Sequence, residues 1–312
     1  MQWLTMAGLA WLSSANPLLA QTTNAGSMER FGAPEAAIQA LRAAAEAGDR
    51  SAIERIFGPE VNDFLTGDKV QDAANFRGFS RAISDRCNTT ADGENRLILN
   101  IGTNDWPFPI PLVKQQDGQW FFDTDAGREE IIDRHIGRDE LNAIGVCRAF
   151  VRAQKEYFAQ ENGAEGTHQY AEKFKSSPGQ HDGLYWPSSS GPSPFGALVA
   201  EAFAEGYGNH PAGTGPHPFH GYCFRILTAQ GRAAPGGKCS YLVDGKLTRG
   251  FALVAYPDKW GRSGIMTFIV NQDGKVYQRN YGERTSEVAS SMTRYDPTRH
   301  WALVEDPGVN EP

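Results

Sequence analysis

Apolar positions change period along this chain, and each change marks a different class of element. From about residue 31 the spacing is helical: Pro34 stands where a first turn tolerates proline, Ile38, Leu41 and Ala45 share a face, and Gly48 closes the helix. A second short helix is expected at Ile53 to Phe57, stopped by Gly58-Pro59. Phe76, Phe79, Ile83 and Cys87 recur at the same spacing, which places Cys87 on the apolar side of a third helix. The period then drops to two. Leu97, Leu99 and Ile101 alternate, and Asp117-Gly118 reads as a hairpin turn between Pro111 to Gln115 and Gln119 to Asp123. The intervening run Trp106-Pro107-Phe108-Pro109-Ile110-Pro111 lacks amide donors at alternate positions and belongs on a sheet edge or in an extended loop. A segment offered to a partner's groove is the rival use; protecting an edge is the commoner one.

Thr124 to Gln160 is helical again, with Leu141, Ile144, Cys147, Val151, Gln154 and Phe158 on one stripe. Its first half is crowded with Arg128, Glu129, Glu130, Asp133, Arg134, Arg138, Asp139 and Glu140. Glu129, Glu130 and Asp133, interleaved with arginines, describe a salt-bridged exposed face rather than an acid–base pair. From about Lys175 to His220 the chain is dense in Pro, Gly, Ser and His, interrupted by one short helix near Phe195 to Glu205. Tyr222 to Thr228, Cys239 to Val243, Lys246 to Tyr256, Gly264 to Asn271 and Lys275 to Asn280 are rich in β-branched and aromatic residues, with Asp244-Gly245 and Asp273-Gly274 as tight turns. Sequential strands joined this way predict an antiparallel meander, and Thr285 to Arg294 a helix over one face or end of it.

These elements define an α+β protein. Residues 31–174 form helices on a small antiparallel sheet, cystatin-like in the order of elements, 175–219 a loop-rich linker, and 220–312 an antiparallel β domain with peripheral helices. Ahead of them, Met6 to Ala20 is apolar apart from Ser13, Ser14 and Asn16. At about 15 residues the run is too short to span a bilayer and reads as the h-region of a secretory leader over 1–20, followed by a flexible polar stretch over 21–30. Residues 1 to 5 carry no Lys or Arg, and a buried N-terminal helix is the alternative; Asn16, Pro17 and the polar tail suit a cleavage region better. The expected location is therefore periplasmic or secreted, and no second apolar run reaches membrane-spanning length.

Charge narrows the partners. A net charge of −7 with 21% charged residues leaves no basic patch, which argues against nucleic acid and anionic membrane surfaces. An oxidising compartment also changes what four cysteines mean. Cys223 and Cys239 flank a Gly/Pro-rich turn on consecutive expected strands, and a bridge there is worth on the order of 3 kcal/mol. Cys87 and Cys147, both on apolar helical faces, either pair or stay as buried thiols. The absence of a Cys-x-x-Cys spacing argues against a cysteine metal site.

Candidate chemistry gathers in the linker. His210, His217 and His220 form a histidine cluster that would suit zinc or copper, although the spacing matches no standard site and loop-packing histidines are the plainer account. His181 and Asp182 lie upstream in the same region, beside Tyr185 and Trp186, which together with Trp106 and Trp260 would stack on a sugar or aromatic ligand unless they serve the core. No Gly-x-Ser-x-Gly elbow, His-Glu-x-x-His, phosphate loop or dinucleotide fingerprint occurs, and Gly261-Arg262-Ser263-Gly264 is a turn between strands rather than an elbow. No cofactor is expected.

Long blocks carry a resemblance. Asp105-Trp106-Pro107-Phe108-Pro109-Ile110-Pro111-Leu112-Val113, Ala126-Gly127-Arg128-Glu129-Glu130-Ile131, His220-Gly221-Tyr222, Phe224-Arg225-Ile226-Leu227-Thr228 and Gly250 to Pro257 resemble a family of exported proteobacterial proteins known as a domain of unknown function. Met266 to Gly274 with Val276-Tyr277 fits the same pattern, and the likeness runs from about Phe31 to Gly282. It implies an envelope location and no activity. The β part, Gly221-Tyr222-x-Phe224 with Ala252 to Pro257 and Gly264 to Phe268, is faintly similar to the sheet heads of pilin-like proteins, without their long assembly helix. The expectation is thus a non-catalytic envelope protein that binds or scaffolds an envelope protein or extracellular ligand. The alternative is a metal-dependent or other hydrolase working from the His-rich linker cleft.

Overall fold

Helix α1 (Pro34–Ala47) starts on its proline and ends where Gly48 turns left-handed, with φ 64°. It buries Ala37, Leu41, Ala44 and Ala45 on one face. Helix α2 (Arg50–Phe57) is capped by Asp49, whose side chain accepts from the Ala52 amide, and contributes Ile53, Ile56 and Phe57 to the same core. Helix α3 (Lys69–Asp85) is capped by Asp68, which accepts from the Val70 and Gln71 amides. The computed structural model describes residues 28–160, 168–205 and 218–305.

A five-stranded antiparallel sheet lies against these helices: β1 (Cys87–Ala91), β2 (Arg96–Ile101), β3 (Trp106–Pro107), β4 (Leu112–Lys114) and β5 (Trp120–Phe122). Its order is β1-β2-β4-β5. β3 pairs with the end of β2, setting Pro107 opposite Asn100. The proline-rich run thus lies beside an edge, as its missing donors require. Cys87 opens β1 instead of completing α3, because that helix ends at Asp85 and Arg86 is already extended. Leu41, Ile56, Ile83, Leu99, Leu112 and Phe122 pack into this first core.

Helix α4 (Thr124–Ala159) is continuous, about 54 Å long at a helical rise of about 1.5 Å per residue. Its first half lies against the first core. Its second half buries Ala143, Cys147, Phe150, Val151, Gln154 and Tyr157 in another. Leu141 departs from the expected stripe: the buried line runs through 143, 147, 150 and 154, which turns Leu141 toward solvent at 62% exposure.

Beyond it come α5 (Gly196–Glu205) and a second five-stranded sheet. The strands are β6 (Tyr222–Leu227), β7 (Ala229–Gln230), β8 (Cys239–Ser240), β9 (Leu242–Val243), β10 (Lys246–Leu247), β11 (Ala252–Pro257), β12 (Met266–Asn271), β13 (Tyr277–Asn280) and β14 (Ala302–Leu303). The sheet order is β14-β13-β12-β11-β6, whereas β7-β8 and β9-β10 form separate two-stranded ribbons. The expected antiparallel meander forms with one departure: Cys239 to Leu247 leaves the sheet as ribbons, so the fully buried β11 has β12 on one side and needs another neighbour on the other. β6 supplies the second neighbour directly. α4 covers one face, and α6 (Thr285–Ser291) packs on the other. Leu184, Trp186 and Phe195, from the segment expected as a linker, belong to the core under α4.

All four cysteines are free thiols. The expected Cys223–Cys239 bridge is therefore not formed. Cys239 stands opposite Gln230, and Cys223 stands opposite Tyr256, seven residues back along a nearly continuous extended chain, or about 20 Å at strand rise. Cys87 packs against the first core while Cys147 is buried in the second, so they do not pair either.

Candidate functional site

The side chains expected to bind are occupied by their own loop. His181 stacks on Trp186 with ring centroids 4.2 Å apart, and its backbone carbonyl accepts from the Tyr157 hydroxyl at 2.8 Å. Asp182 accepts from Lys173 Nζ, from the Ser177 amide at 2.7 Å and from Ser177 Oγ at 2.9 Å. The Lys173 ammonium, with the Ser177 amide, holds the Asp182 carboxyl down to about 2. Trp186 is buried and Tyr185 half-buried, the latter bridged to Lys175. These four residues are brought together, as a clasp that closes a surface loop over the second core.

His210 and His217 lie outside the described residues. His220 sits in a left-handed turn, φ 47°, with its ring against Phe219 at 4.3 Å. Among the described residues no group of three or more His, Cys, Asp or Glu side chains is placed to hold a metal ion. Burial pushes the thiols of Cys147 and Cys223 up to about 12, the latter with help from Asp258, so neither is poised as a nucleophile.

The built concavity lies elsewhere, on the first core. A groove of about 680 Å³ opens between α3, the first half of α4 and the proline-rich run. Phe57, Phe108 and Ile110 form its buried floor, and Phe76 and Phe79 of α3 its half-buried wall. Phe108 packs against Phe79 at 5.3 Å and Phe57 at 6.0 Å. Leu65 and Trp106 stand at the mouth, 39% and 38% exposed. On the facing helix, Ile131, Arg134, His135 and Arg138 follow i, i+3, i+4, i+7 spacing and line the opposite wall. Gly78 keeps the α3 side open, since a Cβ added there meets nothing within 4 Å.

The polar members of the groove are positioned by their neighbours. Arg134 lies over the Trp106 ring, 5.0 Å from its centroid, and donates to Glu130 and to the Pro107 carbonyl. Arg138 donates to Asn75 Oδ1 at 3.1 Å. Burial, reinforced by Arg138, holds His135 down to about 4, against the opposing pull of Asp72 and the Phe64 carbonyl. The imidazole is neutral at physiological pH.

Behind this wall lies a buried polar seam joining the two cores. Asp139 is fully buried; its Oδ1 accepts from Gln71 Nε2 and its Oδ2 has no partner. Desolvation, reinforced by Asp68, raises its carboxyl to about 6 against the opposing pull of Gln71 and Arg138. Both carboxylates turn an oxygen toward Gly221: its amide is 3.5 Å from Asp68 Oδ2, and a Cβ there would come within 2.9 Å of Asp139 Oδ2. Next along α4, Glu140 Oε1 accepts from the Ile265 and Met266 amides at 2.9 Å each. The crowded half of α4 is therefore only partly a solvated face.

The groove was not visible as a site in the sequence, because its aromatic wall reads as ordinary core and its depth depends on packing between distant elements. The spacing of Ile131, Arg134, His135 and Arg138 is the one signal that points to it. Asp68 with Gln71 three residues later also reads as a helix start, but nothing local says that Asp139 will face it.

Two cores spanned by one helix, with a groove on the first, define an α+β protein. The chain belongs to the protein family of unknown function DUF2950, whose model matches residues 28–304. No curated protein and no solved structure matches it. No described helix is long and apolar enough to cross a membrane.

Proposed function

We propose that this chain is an exported, non-catalytic binding protein of the cell envelope, and that the groove on its first core takes a small, largely apolar ligand. The supporting observation is the groove itself: about 680 Å³ falls within the range of about 300–1,000 Å³ usual for ligand pockets, and its aromatic floor is ringed by a few fixed polar groups. The apolar run from Met6 to Ala20 supports export. The hydrolase alternative finds no support among the described linker residues, since Asp182 and His181 are committed to their own loop.

The test is a titration with N-phenyl-1-naphthylamine, a neutral dye that fluoresces in apolar surroundings. Wild type is expected to give saturable, one-site enhancement. Gly78→Leu puts an isobutyl group into the open space on α3 while improving helix propensity by about 0.5–1 kcal/mol. It should retain or raise the melting temperature and lose the dye. Absence of saturable binding by wild type, or undiminished binding by the variant, overturns the proposal.

A further inference from the structure

The polar end of the groove carries donors in excess of acceptors. Arg138 Nη1 donates to Asn75 Oδ1, and Arg138 Nε lies 3.6 Å from Asp139 Oδ1. A guanidinium has more N–H groups than those two contacts use. Only the amide oxygen of Asn75 is able to face Arg138, which turns the amide nitrogen away; that nitrogen is buried with no acceptor. Asp139 pairs with the Nε side of Arg138, and Asp72, the other carboxylate at this end, accepts from the Thr66 amide and hydroxyl, both at 2.9 Å, and from the Gly67 amide. Glu130, at the mouth, is held by Arg134.

We propose that the groove is built for an organic acid with an extended apolar body. Its carboxylate meets the half-exposed Arg138 guanidinium, which Asn75 Oδ1 holds in place, and its chain lies along Phe57, Phe79 and Phe108. This inference rests on the groove reading above and adds the head group to it. Arg138, paired with Asp139 through Nε alone, keeps guanidinium donors at one end of a cleft with an aromatic floor, in a chain whose net charge is −7. A carboxylate is the acceptor that gains most from a guanidinium, through charge-assisted and bidentate hydrogen bonds a neutral head group does not form.

The experiment is displacement of bound N-phenyl-1-naphthylamine at pH 7.5 by dodecanoate, dodecanol and dodecylamine, which share one chain and differ in head group. Dodecanoate is expected to displace the dye at a concentration about tenfold lower than dodecanol, with dodecylamine weakest. Arg138→Gln should bring dodecanoate and dodecanol to within about threefold of each other while leaving dodecanol unchanged. Asn75→Asp, which places a repelling carboxylate at the same spot, should do the same and serves if the arginine variant does not fold. Equal displacement by dodecanoate and dodecanol, or a preference for the amine, overturns the head-group inference and leaves the groove standing. A wild-type protein that binds no dye overturns both.

Discussion

Replacing Asp139 by Asn removes a charge from the buried seam without changing its shape, and the consequence for stability depends on pH. Burial and Asp68 raise the carboxyl from 3.8 to about 6, which makes ionisation about 3 kcal/mol costlier in the folded chain than in the unfolded one. The proton is bound more tightly in the folded state, so the stability Asp139 contributes is full below about pH 4 and is lost as the pH rises through about 6. His135 acts in the opposite sense. Its pKa is held down to about 4, so its contribution is full above about pH 6.5 and is lost as the pH falls through about 4. The two slopes oppose one another across the same interval and flatten the wild-type curve. Comparison with the variant isolates Asp139. The amide introduced by Asp139→Asn keeps an oxygen for Gln71 and matches the protonated acid near pH 4. The variant should therefore be more stable than wild type by up to about 3 kcal/mol at pH 8. Urea denaturation of both proteins at intervals from pH 4 to 8 measures the difference. A stability gap that stays constant over that range would refute the assignment of the buried charge to Asp139.

Three further outcomes follow from the same geometry. His135→Phe should remove the opposing slope, leaving a protein whose stability falls steadily from pH 4 to 7 in thermal melts; an unchanged profile would show that His135 is not held neutral. Gly221→Ala places a Cβ 2.7 Å from Ser263 and 2.9 Å from Asp139 in a left-handed conformation, φ 71°, and should cost about 3 kcal/mol or more in urea unfolding, of which about 1–2 is the backbone term. Iodoacetamide without reductant should alkylate all four cysteines once the chain is unfolded, with half-buried Cys239 reacting ahead of buried Cys147 and Cys223 in the native protein. A mass shift short of four adducts would show a bridge.

How much of this was legible depends on the range over which each feature is decided. α1, α2, α4 and the hairpin at Asp117-Gly118 are written in local spacing and punctuation, and they form where the pattern places them. The end of α3 escapes the pattern because Cys87 keeps the apolar phase of the helix while being the first residue of β1; phase alone does not register the change of backbone. In the second sheet, sequence order predicts neighbours strand by strand, yet β6 pairs with β11 across the two ribbons, a choice made by burial of both faces of β11 rather than by any turn. The same long-range choice carries Cys239 away from Cys223. Among candidate residues, Asp182 and Trp186 stand out by composition, whereas the groove lining at Ile131, Arg134 and Arg138 looks like one more charged helix face.

The long helix explains why the groove and the seam occur together. The helix of about 54 Å packs Ile131 against the first core and Ala143 to Tyr157 into the second, so its middle crosses the junction between them. Asp139 and Glu140 bind Gln71 on one side and the Ile265 and Met266 amides on the other, contacts that fix α4 in rotation as well as position. Fixing that rotation turns Arg134, His135 and Arg138, within about one and a half turns of Asp139, toward α3. On α3, Gly78 and Ala82 are too small to close the space they face, so two rigid walls remain apart over an aromatic floor. Leu65 and Trp106, 39% and 38% exposed at the mouth, forgo burial worth on the order of 1 kcal/mol each. Ligand binding in this groove therefore requires that Gly78→Leu, which fills the open space on α3, lose the dye at undiminished stability.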